Sequence, residues 1–168
     1  MNTIIQNQRK ERDELLARHY LMRKSNTDVK TLFDNPMIKL ITGPRRVGKS
    51  TYALLMLQGK SFAYLNFDDN LLLSAWDEEL VMRTLDEVYP NYEFLLLDEV
   101  QNLKDWDVWV SKLYRRGKNL VITGSNAKML SGEMATVLTG RYLQVEMLPF
   151  SLTESIEWKG ANINSISN

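Results

Sequence analysis

Gly43-Pro44-Arg45-Arg46-Val47-Gly48-Lys49-Ser50 says more about this 168-residue chain than any other stretch of it. Gly43 and Gly48 let the backbone wrap closely around a polyphosphate with no Cβ in the way. The N–H groups of such a loop, and of the helix that follows it, point at phosphate oxygens. Lys49 reaches the β and γ phosphates as a point charge. The Ser50 hydroxyl stands where Mg²⁺ binds, and Thr51 is next in line on the side of the α phosphate. Each fixed position of the Walker A pattern is filled. Arg45 and Arg46 add positive charge, and three readings stay open for them: contact with the nucleotide, contact with an acidic partner, or solvation alone.

The flanking pattern suits that loop. Residues 37–42 are an apolar run that predicts a buried strand, and residues 50–57 predict a helix stopped by Gly59. Further strands are predicted at 61–67, 94–97, 120–123 and 142–147, with Asp68, Asp69 and Asn70 closing the second. Helices are predicted at about 80–88, 105–116 and 127–138. Another starts at 151–158, where Ser151 and Glu154 form a capping box. Trp106, Trp109, Val110 and Leu113 recur at helical spacing and are read as core rather than as a base-stacking platform. Strands alternating with helices predict an α/β fold, a three-layer sandwich around a mostly parallel five-stranded sheet. Ligands of such sheets bind at the carboxyl ends of the strands.

Residues 2–24 are polar and charge-rich and predict an N-terminal helix, amphipathic at best. It reads either as a solvated helix packed on the domain edge or as a docking arm. The expected organisation is a helix and linker at 1–34, with the linker proper at 25–34. The domain built on the phosphate loop follows at 35–159, then a flexible tail at 160–168.

Two further segments complete the chemistry. Phe94-Leu95-Leu96-Leu97-Asp98-Glu99 is an apolar strand ending in paired acids, about fifty residues after the loop, as a Walker B strand does. Asp98 orients Mg²⁺ directly or through water, and Glu99 stays free to take a proton from the attacking water. Leu120-Val121-Ile122-Thr123 runs into Gly124-Ser125-Asn126. Ser125 or Asn126 can reach the γ phosphate or the water, and both are also good helix N-caps. Arg141, just before the last strand, reads either as an arginine finger, in this copy or on a neighbouring subunit, or as a surface arginine.

Composition removes competing chemistries. The chain has no Cys and one His, so disulfides, thiol catalysis, cysteine-ligated metal and multi-histidine metal sites are excluded. A Ser-His-Asp triad would have to use His19 in the polar N-terminal stretch. The formal net charge is +0, which does not indicate nucleic-acid binding by bulk charge. Arg9, Lys10, Arg12, Arg18, Arg23 and Lys24 alternate with Glu11, Asp13 and Glu14 as on a solvated helix. No apolar run approaches the roughly 20 residues of a membrane span and no signal peptide opens the chain, so a cytoplasmic protein without a membrane partner is expected.

Together these residues resemble the prokaryotic AAA-type ATPases. The resemblance is carried by 41–50, by Tyr64-Leu65-Asn66-Phe67-Asp68-Asp69 and by Leu97-Asp98-Glu99-Val100-Gln101-Asn102. Thr123-Gly124-Ser125-Asn126-Ala127, Leu138-Thr139-Gly140-Arg141 and Pro149-Phe150-Ser151 followed by Glu154 extend it from about residue 2 to 158. It implies an additional-strand P-loop ATPase with sheet order 5-1-4-3-2. Lys49, Ser50, Asp98 and Glu99 take the roles above, Asn126 or Ser125 is the first sensor, and Arg141 is the candidate finger. Gln101 follows the acidic pair as in the family, with no role legible in the sequence. Members continue well past Pro-Phe-Ser, so this chain is expected to lack that C-terminal region.

Three functions compete. The first is an ATPase core that binds ATP and ADP with Mg²⁺ and cleaves the β–γ bond with water. The second is a nucleotide-binding switch or interaction module with little turnover, and the third a small-molecule kinase, for which no arginine-rich lid is visible. ATP rather than GTP rests on the resemblance, supported by the lack of an Asn-Lys-x-Asp motif. Nucleotide is the implied partner, with self-association through Arg141 in trans. The protein partner is undetermined.

Overall fold

The computed structural model describes residues 1–18, 20, 32–125, 129 and 138–149. Among these, helix α1 (Asn2–Leu16) leads to strand β1 (Ile38–Gly43), helix α2 (Lys49–Met56) and strand β2 (Phe62–Asn66). Short helix α3 (Asn70–Ser74), helix α4 (Glu78–Val88), strand β3 (Phe94–Asp98) and a 3-10 turn at Val100–Asn102 follow. Helix α5 (Trp106–Arg115), strand β4 (Asn119–Ser125) and strand β5 (Tyr142–Glu146) complete the order.

The strands form one sheet in the order β2-β3-β4-β1-β5, and every pairing is parallel. This is the 5-1-4-3-2 arrangement that the resemblance implied. Every residue of β1 and of β3 is buried, as apolar runs in the interior of a parallel sheet require. To reach β2 the chain leaves β1 and passes β4 and β3. The β2-to-β3 and β3-to-β4 connections run the opposite way. Right-handed crossovers therefore put α2 on one face and α4 and α5 on the other.

α1 packs against β2, α2 and α4, along the open edge of the sheet. Ile5 on this helix is fully buried. Gln8 is 2% exposed, and its amide does for Asn66 what another strand would do. Its Nε2 donates to the Asn66 carbonyl at 3.1 Å and to Asp69 Oδ2 at 3.0 Å, while its Oε1 accepts from the Asn66 N–H at 3.0 Å. Arg12 donates to the Phe62 carbonyl at 2.6 Å and lies over the Phe62 and Tyr89 rings. Arg9 donates to the Val88 carbonyl at the end of α4, one of the acceptors a helix C-terminus leaves unpaired. Of the two readings of the N-terminal helix, packing on the edge describes α1. The interspersed Arg9 and Arg12 serve intramolecular bonds there.

Several boundaries differ from the sequence reading. The helix ends at Leu16 rather than near residue 24. Leu32 and Phe33, inside the expected linker, pack into the body: Leu32 is buried and the Phe33 ring meets Phe94 edge-on at 5.0 Å. α3 and the 3-10 turn were not anticipated. α3 forms because Asp69 caps it, accepting from the Leu71 N–H at 2.8 Å. β4 runs on through Gly124 and Ser125, because both pair with the end of β1. Trp109, Val110 and Leu113 are buried as expected, and Trp109 meets Trp76 and Phe67 edge-on. The helices expected at 127–138 and 151–158, the tail at 160–168 and most of the linker lie outside the described residues.

Candidate functional site

The loop that leaves β1 is built around a close approach. The Met147 N–H donates to the Thr42 carbonyl at 2.7 Å, which draws the chain beyond β5 over Gly43. A Cβ on Gly43 would lie 2.3 Å from the Met147 carbonyl oxygen. Gly48 is needed for conformation rather than for space: its φ is +89°, and a Cβ there would meet nothing within 4 Å. Val47 is buried and anchors the loop, while Pro44, Arg45 and Arg46 are exposed, Arg46 with φ at 65°. α2 begins at Lys49, so its first N–H groups face the loop.

Lys49 is 4% exposed. Its Nζ donates to the Pro44 carbonyl at 3.1 Å and pairs with Glu99 Oε1 at 3.2 Å. Asp98 is 3% exposed at the end of β3 and is surrounded by hydroxyls. Ser50 Oγ donates to Asp98 Oδ1 at 2.8 Å, Thr123 Oγ1 donates to the same oxygen, and the Tyr64 hydroxyl donates to Oδ2 at 3.2 Å. Burial pushes the Asp98 carboxyl above the usual carboxylate range and the Glu99 charge adds to this, while the Thr123, Ser50 and Tyr64 hydrogen bonds pull it back. Burial, and then the Asp98 charge, push the Tyr64 phenol up as well.

Glu99 lies just past the strand in the left-handed region, with φ at 51° and ψ at 41°. Its N–H donates to Thr123 Oγ1 at 3.0 Å, and its Oε2 accepts from Gln101 Nε2 at 2.6 Å. Backbone in this region is uncommon outside glycine and concentrates at functional sites. Here the Glu99 carboxylate meets Lys49 Nζ, while its charge still acts on Asp98.

The fold thus brings Lys49, Ser50, Asp98 and Glu99 together at the carboxyl ends of β1 and β3. Ser125 is buried and pairs in register with Gly43, beside the loop. Asn126 lies outside the described residues. Arg141 is elsewhere. It precedes Tyr142, which pairs with Ile38 at the start of β1, and its Nη1 donates to Ser111 Oγ at 3.2 Å. At roughly 3.3 Å per strand residue it stands about 20 Å from Gly43, so the expectation of a finger acting within its own copy is corrected.

Sequence reasoning missed the roles of Tyr64, Thr123 and Gln101. Tyr64 pairs with Leu96 and Asn66 with Asp98, so Tyr64 and Asp98 share a face of the sheet. Val121 pairs with Leu96, which puts Thr123 on that face too. A polar residue at each of these steps was the available signal, but it has meaning only once the strand order is known.

The donor set fits a small hard cation. Ser50 Oγ and Asp98 Oδ1 are oxygen ligands close enough to share one ion, and Mg²⁺ takes one or two such ligands plus phosphate oxygens and water. No cluster of three or more His, Cys, Asp or Glu side chains stands among the described residues, and Mg²⁺ bound this way needs none. Among the described residues no helix is long and apolar enough to cross a membrane.

With this geometry in view, the fold and site define a nucleotide-binding core of the P-loop ATPase type. Residues 35–156 match the family model of an AAA domain, and the chain belongs to that family, the prokaryotic AAA-type P-loop ATPases. An uncharacterized protein of Methanocaldococcus jannaschii is 38% identical over 143 residues, covering 82% of this chain and 32% of that protein. An uncharacterized protein of Haemophilus influenzae is 34% identical over 144 residues, covering 79% of this chain and 36% of its own length. The chain thus spans about a third of the length of these relatives. Among solved structures, AMPPCP-bound DnaA from Aquifex aeolicus aligns with a TM-score of 0.51 and 20% identity, over 80% of this chain and 50% of that one. That likeness concerns the fold.

Proposed function

We propose that this chain binds ATP with Mg²⁺ and hydrolyses its β–γ bond. The observation that carries the reading is the meeting of Lys49, Ser50, Asp98 and Glu99 at one loop, with the Glu99 carboxylate bonded to Lys49 and Gln101 and the Asp98 carboxylate to Ser50. The loop N–H groups from Pro44's successor to Thr51 cradle the phosphates, and Lys49 exchanges Glu99 for the β and γ oxygens. Ser50 and Asp98 would hold Mg²⁺, which would offset negative charge on the phosphates. Glu99 takes a proton as the water oxygen bonds to the γ phosphorus. The bond from that phosphorus to the bridging oxygen breaks, and ADP leaves with the electron pair. Ser125, beside Gly43, or Asn126 senses the γ phosphate. Arg141 serves a neighbouring copy in trans.

A second reading, a nucleotide-operated switch with little turnover, is favoured by the Lys49–Glu99 pair, since binding alone would break it. The test is thermal unfolding with MgATP and MgADP, followed by phosphate release. Ligand at about 100 times its Kd adds roughly 2.7 kcal/mol of apparent stability, and Lys49→Ala is expected to abolish that shift. Wild-type turnover well above that of Glu99→Gln supports hydrolysis, and equal rates beside intact binding support the switch.

A further inference from the structure

Gln101 sits in the site without an assigned task. The 3-10 turn after Glu99 folds its side chain back so that Nε2 donates to Glu99 Oε2 at 2.6 Å. Among the described residues its Oε1 is buried with no hydrogen-bond partner, an arrangement that costs free energy and calls for a reason. The amide is wedged against β4 at Gly124, where a Cβ would come within 2.5 Å of Gln101 Oε1. The turn is itself tied down, since Asn102 Nδ2 donates to Asp68 Oδ1 at 2.7 Å. Gly124 therefore leaves space for this amide, and among the described residues the amide has one polar contact, the Glu99 carboxylate.

Lys49 holds the other oxygen of that carboxylate at 3.2 Å. The two donors therefore fix Glu99 from opposite sides. When Lys49 turns to the phosphates, as the hydrolytic reading requires, Gln101 Nε2 is the side-chain donor that stays. A donor on Oε2 alone leaves Oε1 exposed to a water and sets its direction.

We propose that Gln101 is the positioning residue for Glu99, holding Oε2 so that Oε1 faces the attacking water once nucleotide has drawn Lys49 away. The proposal rests on the hydrolytic reading. It concerns catalysis rather than nucleotide affinity, because Gln101 has no polar contact with the phosphate loop.

The test is ATP turnover and MgADP binding by the whole chain carrying Gln101→Met, which keeps the length of the side chain against Gly124 and removes the donor. kcat is expected to fall about tenfold to a hundredfold, as for a reacting group set slightly out of place. KM, and the thermal shift with MgADP, stay within about twofold of wild type. Gln101→Glu, of the same shape, lowers kcat likewise and serves if Gln101→Met folds poorly. In a Glu99→Gln background Gln101→Met has no further effect, because the two residues act as one unit. Unchanged kcat in both Gln101 variants, or an equal further loss in the Glu99→Gln background, would overturn the positioning role and leave hydrolysis standing. Wild-type turnover no higher than that of Glu99→Gln, with binding intact, would overturn hydrolysis and this role together.

Discussion

Replacing Gln8 with leucine tests whether α1 is part of the folded body rather than an appendage. The side chain is of similar size but has no donor or acceptor. Three hydrogen bonds are lost: two with the Asn66 backbone and one with Asp69. At a net value of about 1 kcal/mol each they amount to about 3 kcal/mol. The Asn66 carbonyl keeps a long bond from the Asp69 N–H at 3.4 Å, so the Asn66 N–H bears most of the penalty for being left unpaired. In urea, the unfolding free energy is expected to drop by about 2–4 kcal/mol with an unchanged m-value. For a domain of this size the thermal midpoint falls by about 6–12 °C. The bared β2 edge should also raise the tendency to associate. Gln8→Glu sharpens the test, since at neutral pH it loses the donor and sets a carboxylate against Asp69. Its deficit should shrink as pH falls and the new carboxyl takes up a proton. A loss below about 1 kcal/mol for Gln8→Leu would refute the idea that this amide closes the sheet edge.

Two other outcomes follow from the geometry. Gly43→Ala puts a methyl group 2.3 Å from the Met147 backbone oxygen, so the loop or the chain beyond β5 must move. A stability loss of about 1–3 kcal/mol and at least tenfold weaker MgATP binding are expected, read by urea unfolding and by ligand-dependent thermal shift. Lys39 is buried on β1 with its Nζ on the Asn35 carbonyl at 2.6 Å, and burial lowers its pKa. Between that lowered pKa and the ordinary lysine value the unfolded chain binds more protons, so wild-type stability rises with pH there. The stability of wild type relative to Lys39→Met should therefore rise as pH is raised from 7 toward 10.5, and a flat or falling difference in urea unfolding would contradict it.

Much of the candidate site is legible in the sequence because its chemistry is local. A phosphate loop is a run of backbone, and Gly43, Gly48, Lys49 and Ser50 act within one turn of chain. The Asp98-Glu99 pair is legible for a similar reason, since an apolar strand that ends in acids carries its direction with it. Arg141 shows the limit. Its place before the last strand suggests a finger, but parallel pairing puts that place at the end of the sheet opposite the loop.

What the sequence by itself determined is the loop, the acidic pair, the alternation of strands and helices, and the residues that must be buried. Each depends on spacing along a few turns of chain. Only the tertiary structure decided which hydroxyls reach Asp98, that Gln101 folds back onto Glu99, and that Gln8 pairs with the edge of β2. Tyr64, Ser50, Thr123 and Asp98 come from four different elements, and Gln8 bonds a residue 58 positions away. Hydrogen bonds act over about 3 Å. Partners that far apart in the chain become neighbours only after strand order and register are set, and these are settled by how the whole apolar surface is buried at once.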